Sequence, residues 1–274
     1  MTLVDTFAAE HLPPRELWPD LLVERLGYPA RLNAAAALLD GALAAGRADH
    51  PAFVGDAETL TYGALAERVD RLCNVLVDDL GLVSGNRVLL RAPNSPLHVA
   101  CWLAVLKAGG IAVATMPLLR RGELAVIAER ARIGLALADD RLLDEVDGVC
   151  PRLASFGELL RLAEARPAAF AACETAADDV ALIAFTSGTT GRPKGTMHFH
   201  RDVLAICDTF SREVVRPRPE DVFIGSPPIA FTFGLGGLVT FPMRVGATSV
   251  LLEQATPERL LDGIERHRAT FCFT

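Results

Sequence analysis

The chain has 274 residues, of which 51% are hydrophobic and 22% are charged, so it is long enough to bury a large core. Its net charge of −7 comes without a basic stripe, which argues against nucleic acid as the main partner. The longest apolar stretch, 99–119, is interrupted by Lys107, Gly109, Gly110 and Pro117, so we expect no membrane span. Six scattered cysteines and an N-terminus without a signal-peptide pattern predict a cytoplasmic protein.

Short apolar runs alternate with helical segments along most of the chain. The sequence predicts a hairpin over 52–62 and strands over 87–91, 111–114, 134–138, 180–185, 221–224, 247–252 and 268–273. It predicts helices over 34–45, 62–80, 95–108, 122–132, 140–146, 156–165, 203–214, 234–245 and 257–267. Because parallel strands need crossover helices, this alternation predicts an α/β fold with mostly parallel sheets covered by helices on both faces.

The helix predicted over 62–80 has a clear apolar face. Its apolar residues recur at spacings of three and four: Leu65, Val69, Leu72, Leu76 and Leu80. Thr61 is the expected N-cap of this helix, and Asn33 that of the helix over 34–45. Both helices should therefore belong to the core.

The most informative stretch is Thr-Ser-Gly-Thr-Thr-Gly-Arg-Pro-Lys-Gly, from Thr186 to Gly195. Its glycines let the backbone approach a ligand closely. Its hydroxyls and free N–H groups can donate to anionic oxygens, and Lys194 adds a positive charge. The stretch therefore predicts a phosphate-binding loop, although a polar turn can have the same composition. It differs from a Walker A loop, because Pro193 stands where the second glycine belongs.

Two further stretches contain candidate site residues. The segment 226–235, Ser-Pro-Pro-Ile-Ala-Phe-Thr-Phe-Gly-Leu, approaches a helix through two prolines and is either a ligand-binding corner or a buried strand-to-helix corner. His198 and His200 would face the same side of a strand, as two metal ligands do. No third ligand stands nearby, so we predict no metal site there.

These stretches resemble the adenylate-forming superfamily, which includes acyl-CoA synthetases, peptide-synthetase adenylation domains and luciferases. The resemblance implies the αβαβα layers of that family's large N-terminal domain. It implies that the phosphates of ATP are bound by Thr186, Ser187, Gly188, Thr189, Thr190, Gly191 and Lys194. It also matches His200 to the family histidine, a neighbour of the nucleotide and acyl sites, and leaves His198 incidental. The acyl pocket would involve Ala230, Phe231 and Gly234.

Ala230 and Phe231 stand where the family has an aromatic–histidine pair, and this suits a flat aryl carboxylate stacked on Phe231. Together with segments 12–19 and 28–33, the chain looks most similar to the benzoate and 2-aminobenzoate-CoA ligase branch. The resemblance implies activation of an aromatic carboxylate by ATP to acyl-AMP, followed by thioester formation with coenzyme A. The alternatives are another acyl or amino-acid adenylating enzyme and a non-catalytic nucleotide-binding fragment.

The resemblance covers about half of the family's length. We therefore expect the N-terminal part of an AMP-binding domain, with a first unit over about 1–175, a second over about 176–274, and no small C-terminal domain. In the family, a magnesium-binding Glu, a ribose-binding Asp and a catalytic Lys lie further downstream. No catalytic residue is therefore assigned here, Mg²⁺ and coenzyme A would need those missing parts, and the chain alone should be inactive.

Overall fold

The computed structural model describes residues 3–20, 22–186 and 193–274. Its strands are β1 (Pro51–Val54), β2 (Thr59–Thr61), β3 (Arg87–Arg91), β4 (Ile111–Thr115), β5 (Leu135–Ala138), β6 (Arg152–Ser155), β7 (Val180–Thr186), β8 (Lys194–Phe199), β9 (Val222–Gly225), β10 (Thr248–Leu251) and β11 (Phe271–Phe273). Its α-helices are α1 (Phe7–Glu10), α2 (Ala34–Ala44), α3 (Tyr62–Asn74), α4 (Pro96–Lys107), α5 (Arg121–Arg130), α6 (Phe156–Ala163), α7 (His200–Ile206), α8 (Thr232–Leu235), α9 (Phe241–Val245) and α10 (Pro257–His267). Short 3₁₀ segments span Arg15–Leu17, Val23–Leu26 and Asp140–Glu145, and π-helical turns span Val75–Asp79, Cys207–Val215 and Gly236–Thr240.

The strands form two sheets. One has six strands in the order β6-β5-β3-β4-β7-β8, and the other has five in the order β11-β9-β10-β1-β2. Neighbouring strands are parallel except in the two hairpins, β1–β2 and β7–β8. The predicted α/β class with mostly parallel sheets is thereby confirmed.

Helix α4 lies at the centre of the molecule, and every one of its residues except Leu97 is buried. Together with α2 and α3 it packs between the two sheets, in a core that includes Leu90 of β3 and Phe53 of β1. Helix α5 covers the outer face of the six-stranded sheet, and α10 covers that of the five-stranded sheet. The layers are therefore αβαβα, as the resemblance implied.

Local signals in the sequence explain the ends of several helices. The side chain of Asn33 accepts the N–H of Ala36 at the start of α2, and that of Thr61 accepts the N–H of Ala64 at the start of α3. The predicted apolar face of the helix that begins at Tyr62 is buried along its whole length. No described helix is both long and apolar enough to cross a bilayer.

The order of strands in space differs from their order in the chain. The hairpin β1–β2 joins strands that follow it by about 200 residues, with Phe53 opposite Ser249. Strands β7 and β8, in contrast, complete the sheet built by residues 87–155. Each sheet thus combines strands from both sides of residue 175, so the predicted division near that residue does not follow the sheets.

Strands β6 and β8 do not figure among the predicted elements. β8 forms an antiparallel hairpin with β7, and the following helix begins at His200, three residues earlier than predicted. The predicted helices over 62–80, 203–214 and 234–245 all contain a π-helical turn. A hydrophobic period of 3.6 residues describes an α-helix, so it does not locate a single wider turn within one.

Candidate functional site

The candidate phosphate-binding loop connects the two strands of the β7–β8 hairpin. Thr186 at the end of β7 lies opposite Lys194 at the start of β8, and Phe185 lies opposite Gly195. Both Thr186 and Lys194 are exposed. The other predicted phosphate-binding residues, Ser187, Gly188, Thr189, Thr190 and Gly191, lie outside the described residues.

Lys194 is one of two lysines in the chain. The other, Lys107, is buried and forms an ion pair with the carboxylate of Asp70. Lys194 has no hydrogen-bond or ion-pair partner within the described part of the chain. Its charge is therefore free to act on an anion at the loop, and with the hydroxyl of Thr186 this fits a phosphate group.

Gly195 lets the hairpin pack tightly beside the loop. A Cβ atom at this position would lie 2.8 Å from Cγ2 of Ile183, closer than real side chains come, and 3.2 Å from Cζ of Phe185. On the same strand, the ring of Phe199 stacks on Trp18 with 5.2 Å between centroids. The N-terminal segment therefore packs against the strand that holds Lys194.

His200 lies in the interior, at the first position of α7, and its side chain is 1% exposed. Its Nδ1 atom accepts the backbone N–H of Ala34 at 3.1 Å. Burial lowers the pKa of His200 to about 4, although the carboxylate of Asp179 opposes the shift, so the imidazole is neutral near pH 7. The histidine thus ties α7 to α2, and its role beside the nucleotide and acyl sites stays a prediction.

His198 lies in a different environment from His200, because β8 ends between them. Half-buried, it lines a cavity of about 200 Å³ between the β7–β8 hairpin, α7 and the segment that begins with α8. The cavity is lined by Leu182, His198, Asp202, Val203, Ile206, Thr232, Leu235, Gly236 and Thr240. The sequence analysis set His198 aside as incidental, since the family motif gives weight only to the second histidine.

The corner before α8 is fixed by Asn94, a residue that the sequence analysis missed. Its side-chain amide donates to the carbonyl of Pro227 at 3.0 Å and accepts the N–H of Ile229 at 2.9 Å. Asn94 is buried in the loop between β3 and α4. The amide therefore connects the corner to the edge of the six-stranded sheet.

The three predicted acyl-pocket residues lie along this corner. Ala230 is half-buried, and Phe231, the N-cap residue of α8, is 41% exposed. Gly234 is buried, and a Cβ there would lie 2.2 Å from the carbonyl oxygen of Pro228. Gly234 is therefore required for packing, whatever its part in a pocket. Among the described residues that line the His198 cavity, none of these three appears, but their neighbours Thr232 and Leu235 do.

Residues 42–274 match the family model of AMP-binding enzymes. The chain is similar to the benzoate–CoA ligase of Thauera aromatica, with 31% identity over 88% of the chain and 48% of that protein. It is also similar to the p-hydroxybenzoic acid–AMP ligase FadD22 of Mycobacterium tuberculosis, with 37% identity over 82% of the chain and 32% of that protein. The chain spans about half the length, or less, of the curated relatives it matches.

The fold is shared with a solved structure described as the anthranilate CoA ligase AuaEII in complex with anthranoyl-AMP. The TM-score is 0.86 at 24% identity, over 91% of this chain and 51% of the other. At this level of identity the similarity establishes the fold alone. The shared part is again about half of the longer protein.

Proposed function

Because the chain belongs to the family of AMP-binding enzymes, we propose that it takes part in the ATP-dependent activation of an aromatic carboxylate. The acid would be of the benzoate or 2-aminobenzoate type, and the product of the first step an acyl-AMP. A thioester with coenzyme A would follow. The observation that carries the proposal is the β7–β8 hairpin, in which Thr186 lies opposite Lys194 at the two ends of the glycine- and hydroxyl-rich loop, and Lys194 has no partner among the described residues.

In the first step, a carboxylate oxygen of the acid attacks the α-phosphorus of ATP, and the bond to pyrophosphate breaks. Lys194 and the loop hydroxyls would hold the β- and γ-phosphates, whose negative charge grows as pyrophosphate leaves. In the second step, the thiolate of coenzyme A attacks the acyl carbon and AMP leaves. The residues of this chain therefore act by positioning and by charge.

Magnesium accompanies ATP in this family. Within the residues that the structure describes, no group of three histidine, cysteine, aspartate or glutamate side chains is placed to hold a metal ion. No step is therefore assigned to a metal here. The proposed roles of Lys194 and the hydroxyls do not depend on one.

The substrate class rests on two lines of support. The relatives named above are a benzoate–CoA ligase and a p-hydroxybenzoic acid–AMP ligase, both of which are named for aryl carboxylates. At the corner, exposed Phe231 is available for stacking, and small Ala230 leaves room beside it. An amino substituent on the ring is supported by the sequence resemblance.

A second candidate function ends at the acyl-AMP, with transfer to an acceptor other than coenzyme A. The similarity to an enzyme named as an AMP ligase favours it.

We further propose a cytoplasmic location, because all six cysteines are free thiols. We also propose that the chain is the N-terminal part of an AMP-binding domain, since it covers about half of the length of its relatives.

These proposals can be tested by sequencing the gene beyond the codon for Thr274 and assaying the whole encoded protein. Pyrophosphate release is measured with benzoate, 2-aminobenzoate, fatty acids and amino acids, with and without coenzyme A. We expect release with the aryl acids and formation of their CoA thioesters. Acyl-AMP without thioester would favour the second candidate. Preference for fatty or amino acids, or ATP binding without turnover, would contradict the proposed activity.

A further inference from the structure

His198, which lines the cavity, has a hydrogen-bond acceptor whose state follows from its neighbours. The hydroxyl of Thr196 donates its single proton to the carbonyl of Ala184 at 3.0 Å. The same oxygen lies 3.3 Å from Nε2 of His198, so in this contact it must accept, and Nε2 must carry the ring proton. Burial lowers the pKa of His198 and so favours the neutral ring. Nδ1 is then an unprotonated acceptor, and it has no hydrogen-bond partner among the described residues.

Two other polar groups line the same cavity. The carboxylate of Asp202 accepts the backbone N–H of Phe199 at 2.9 Å and keeps further acceptor capacity. The hydroxyl of Thr240 is buried and has no nitrogen or oxygen partner within the described chain; the thiol of Cys207 is its polar neighbour. The remaining lining is mainly apolar.

The size and position of the cavity suit the ring of an acyl group. Its volume is about 200 Å³, and a dry apolar cavity of about 150 Å³ can bind benzene. His198 lies opposite Leu182, four residues along the hairpin from the pair of Thr186 and Lys194. This spacing corresponds to about 13 Å along a strand. That length accommodates the α-phosphate and the carboxylate between the loop and the ring.

We propose that His198 is a specificity-determining residue that accepts a hydrogen bond, at Nδ1, from an amino group on the aromatic ring of the substrate. An amino group has two N–H donors, and the cavity offers two acceptors, Nδ1 of His198 and the carboxylate of Asp202. Benzoate lacks such a donor, so it cannot make this hydrogen bond to Nδ1 of His198. The inference rests on the proposed function, and it adds the group that would distinguish 2-aminobenzoate from benzoate.

The experiment measures dissociation constants of 2-aminobenzoate, by its own fluorescence, and of benzoate and ATP, by calorimetry. The proteins are the whole encoded protein and its variants His198→Phe, His198→Asn and the control His267→Phe, which makes the same change on α10, outside this cavity. We expect His198→Phe to weaken 2-aminobenzoate binding about threefold to tenfold, the range of one neutral hydrogen bond. Binding of benzoate and ATP should not change. His198→Asn, which keeps an acceptor, should retain most of the preference.

The outcomes separate the two levels of the proposal. Equal affinity of the unsubstituted whole protein for the two acids, or an equal loss for both in His198→Phe, overturns the role of His198 and leaves the proposed function standing. Absence of binding by ATP and by both acids overturns both. If His198→Phe fails to fold, as judged by circular dichroism, the comparison of His198→Asn with His198→Leu decides the matter by the same criterion.

Discussion

The backbone N–H of Ala34 donates a hydrogen bond to Nδ1 of His200, and this contact joins the first residues of α2 and α7. Only an unprotonated nitrogen can accept that bond. The folded protein therefore needs a neutral His200, whose pKa burial lowers from 6.5 to about 4. His200 therefore binds a proton more tightly in the unfolded chain than in the folded protein.

We expect acid to destabilise the protein through this histidine. The folded pKa lies below the unfolded one, so the contribution is fully present above pH 6.5 and is lost as the pH falls towards 4. The free energy of unfolding falls by up to about 1.4 kcal/mol per pH unit for each such group. Urea denaturation between pH 7.5 and 4.5 measures it. His200→Asn keeps an acceptor without the titration and should flatten the slope, leaving the part due to the other groups with a lowered pKa, among them His98 and His198. An unchanged slope would contradict the assignment.

Replacing Lys194 by alanine should weaken ATP binding about 10- to 150-fold, because a hydrogen bond to a charged group contributes about 1.5–3 kcal/mol. Lys194→Arg, which keeps the charge, should lose less. Arg130→Ala removes an exposed charge on α5 and serves as the matched control. Calorimetric titration with ATP gives the three constants. Equal affinities in chain and Lys194→Ala would remove Lys194 from the phosphate site.

Enlarging Ala230 to leucine should lower the affinity for benzoate-like acids and leave that for ATP nearly unchanged. The added methyl groups would crowd the ring of the acid at this corner, where Thr232, two residues further on, lines the His198 cavity. Both affinities are measured on the same preparation, so that misfolding is recognised by a parallel loss. Such a parallel loss would show that the substitution acts on the fold, and Ala230 would no longer count as a pocket residue.

Gly234→Ala should destabilise the protein by about 1–3 kcal/mol, the range for overpacking in a core, because its Cβ would meet the carbonyl of Pro228. Gly41→Ala is the matched control. Gly41 lies inside α2, where a Cβ meets no atom within 4 Å, so alanine should stabilise by about 0.5–1 kcal/mol. Urea midpoints give both values. Similar midpoints for the two variants would show that the corner before α8 relaxes freely.

The chain of residues 1–274 alone should form no CoA thioester and should associate in solution. It spans about half of its relatives, and it exposes large apolar side chains, among them Phe231, Phe233 and Leu261 at 41%, 55% and 66%. Light scattering and an acyl-CoA assay check the two parts separately. A monomer that makes thioester at a rate comparable to its full-length relatives would contradict this expectation.

Periodicity and capping signals located most of the helices and strands, because each reflects contacts within a few residues. The face of α3 and the caps Asn33 and Thr61 are examples. Pairing between distant strands leaves no such signal. Nothing near Phe53 indicates that it would lie opposite Ser249, and β8 was missed because half of its residues are exposed and do not alternate.

The residues of the candidate site likewise fall into those that local sequence predicts and those that only distant contacts define. The loop from Thr186 to Gly195 was predicted because its chemistry is contiguous in the sequence. The environment of His198 depends on α7 and α8 meeting beside β8, and that of Asn94 on a contact with the corner more than 130 residues away. Such sites depend on tertiary contacts, so residue types and spacing alone could not separate His198 from an incidental histidine.

The interleaved sheets set an order of events during synthesis. Residues 87–199 contain every strand of the six-stranded sheet, so that sheet can assemble as soon as they have left the ribosome. The hairpin β1–β2 is made earlier but has no parallel partner until β10 emerges, about 200 residues after it. At about 5–20 residues per second, this is a delay of about 10–40 s. During this time the apolar side chains of Phe53 and its neighbours would be exposed to solvent unless another element packs on them. Helix α3 has already been synthesised by then, and it packs on this hairpin in the native fold, so it can shield them.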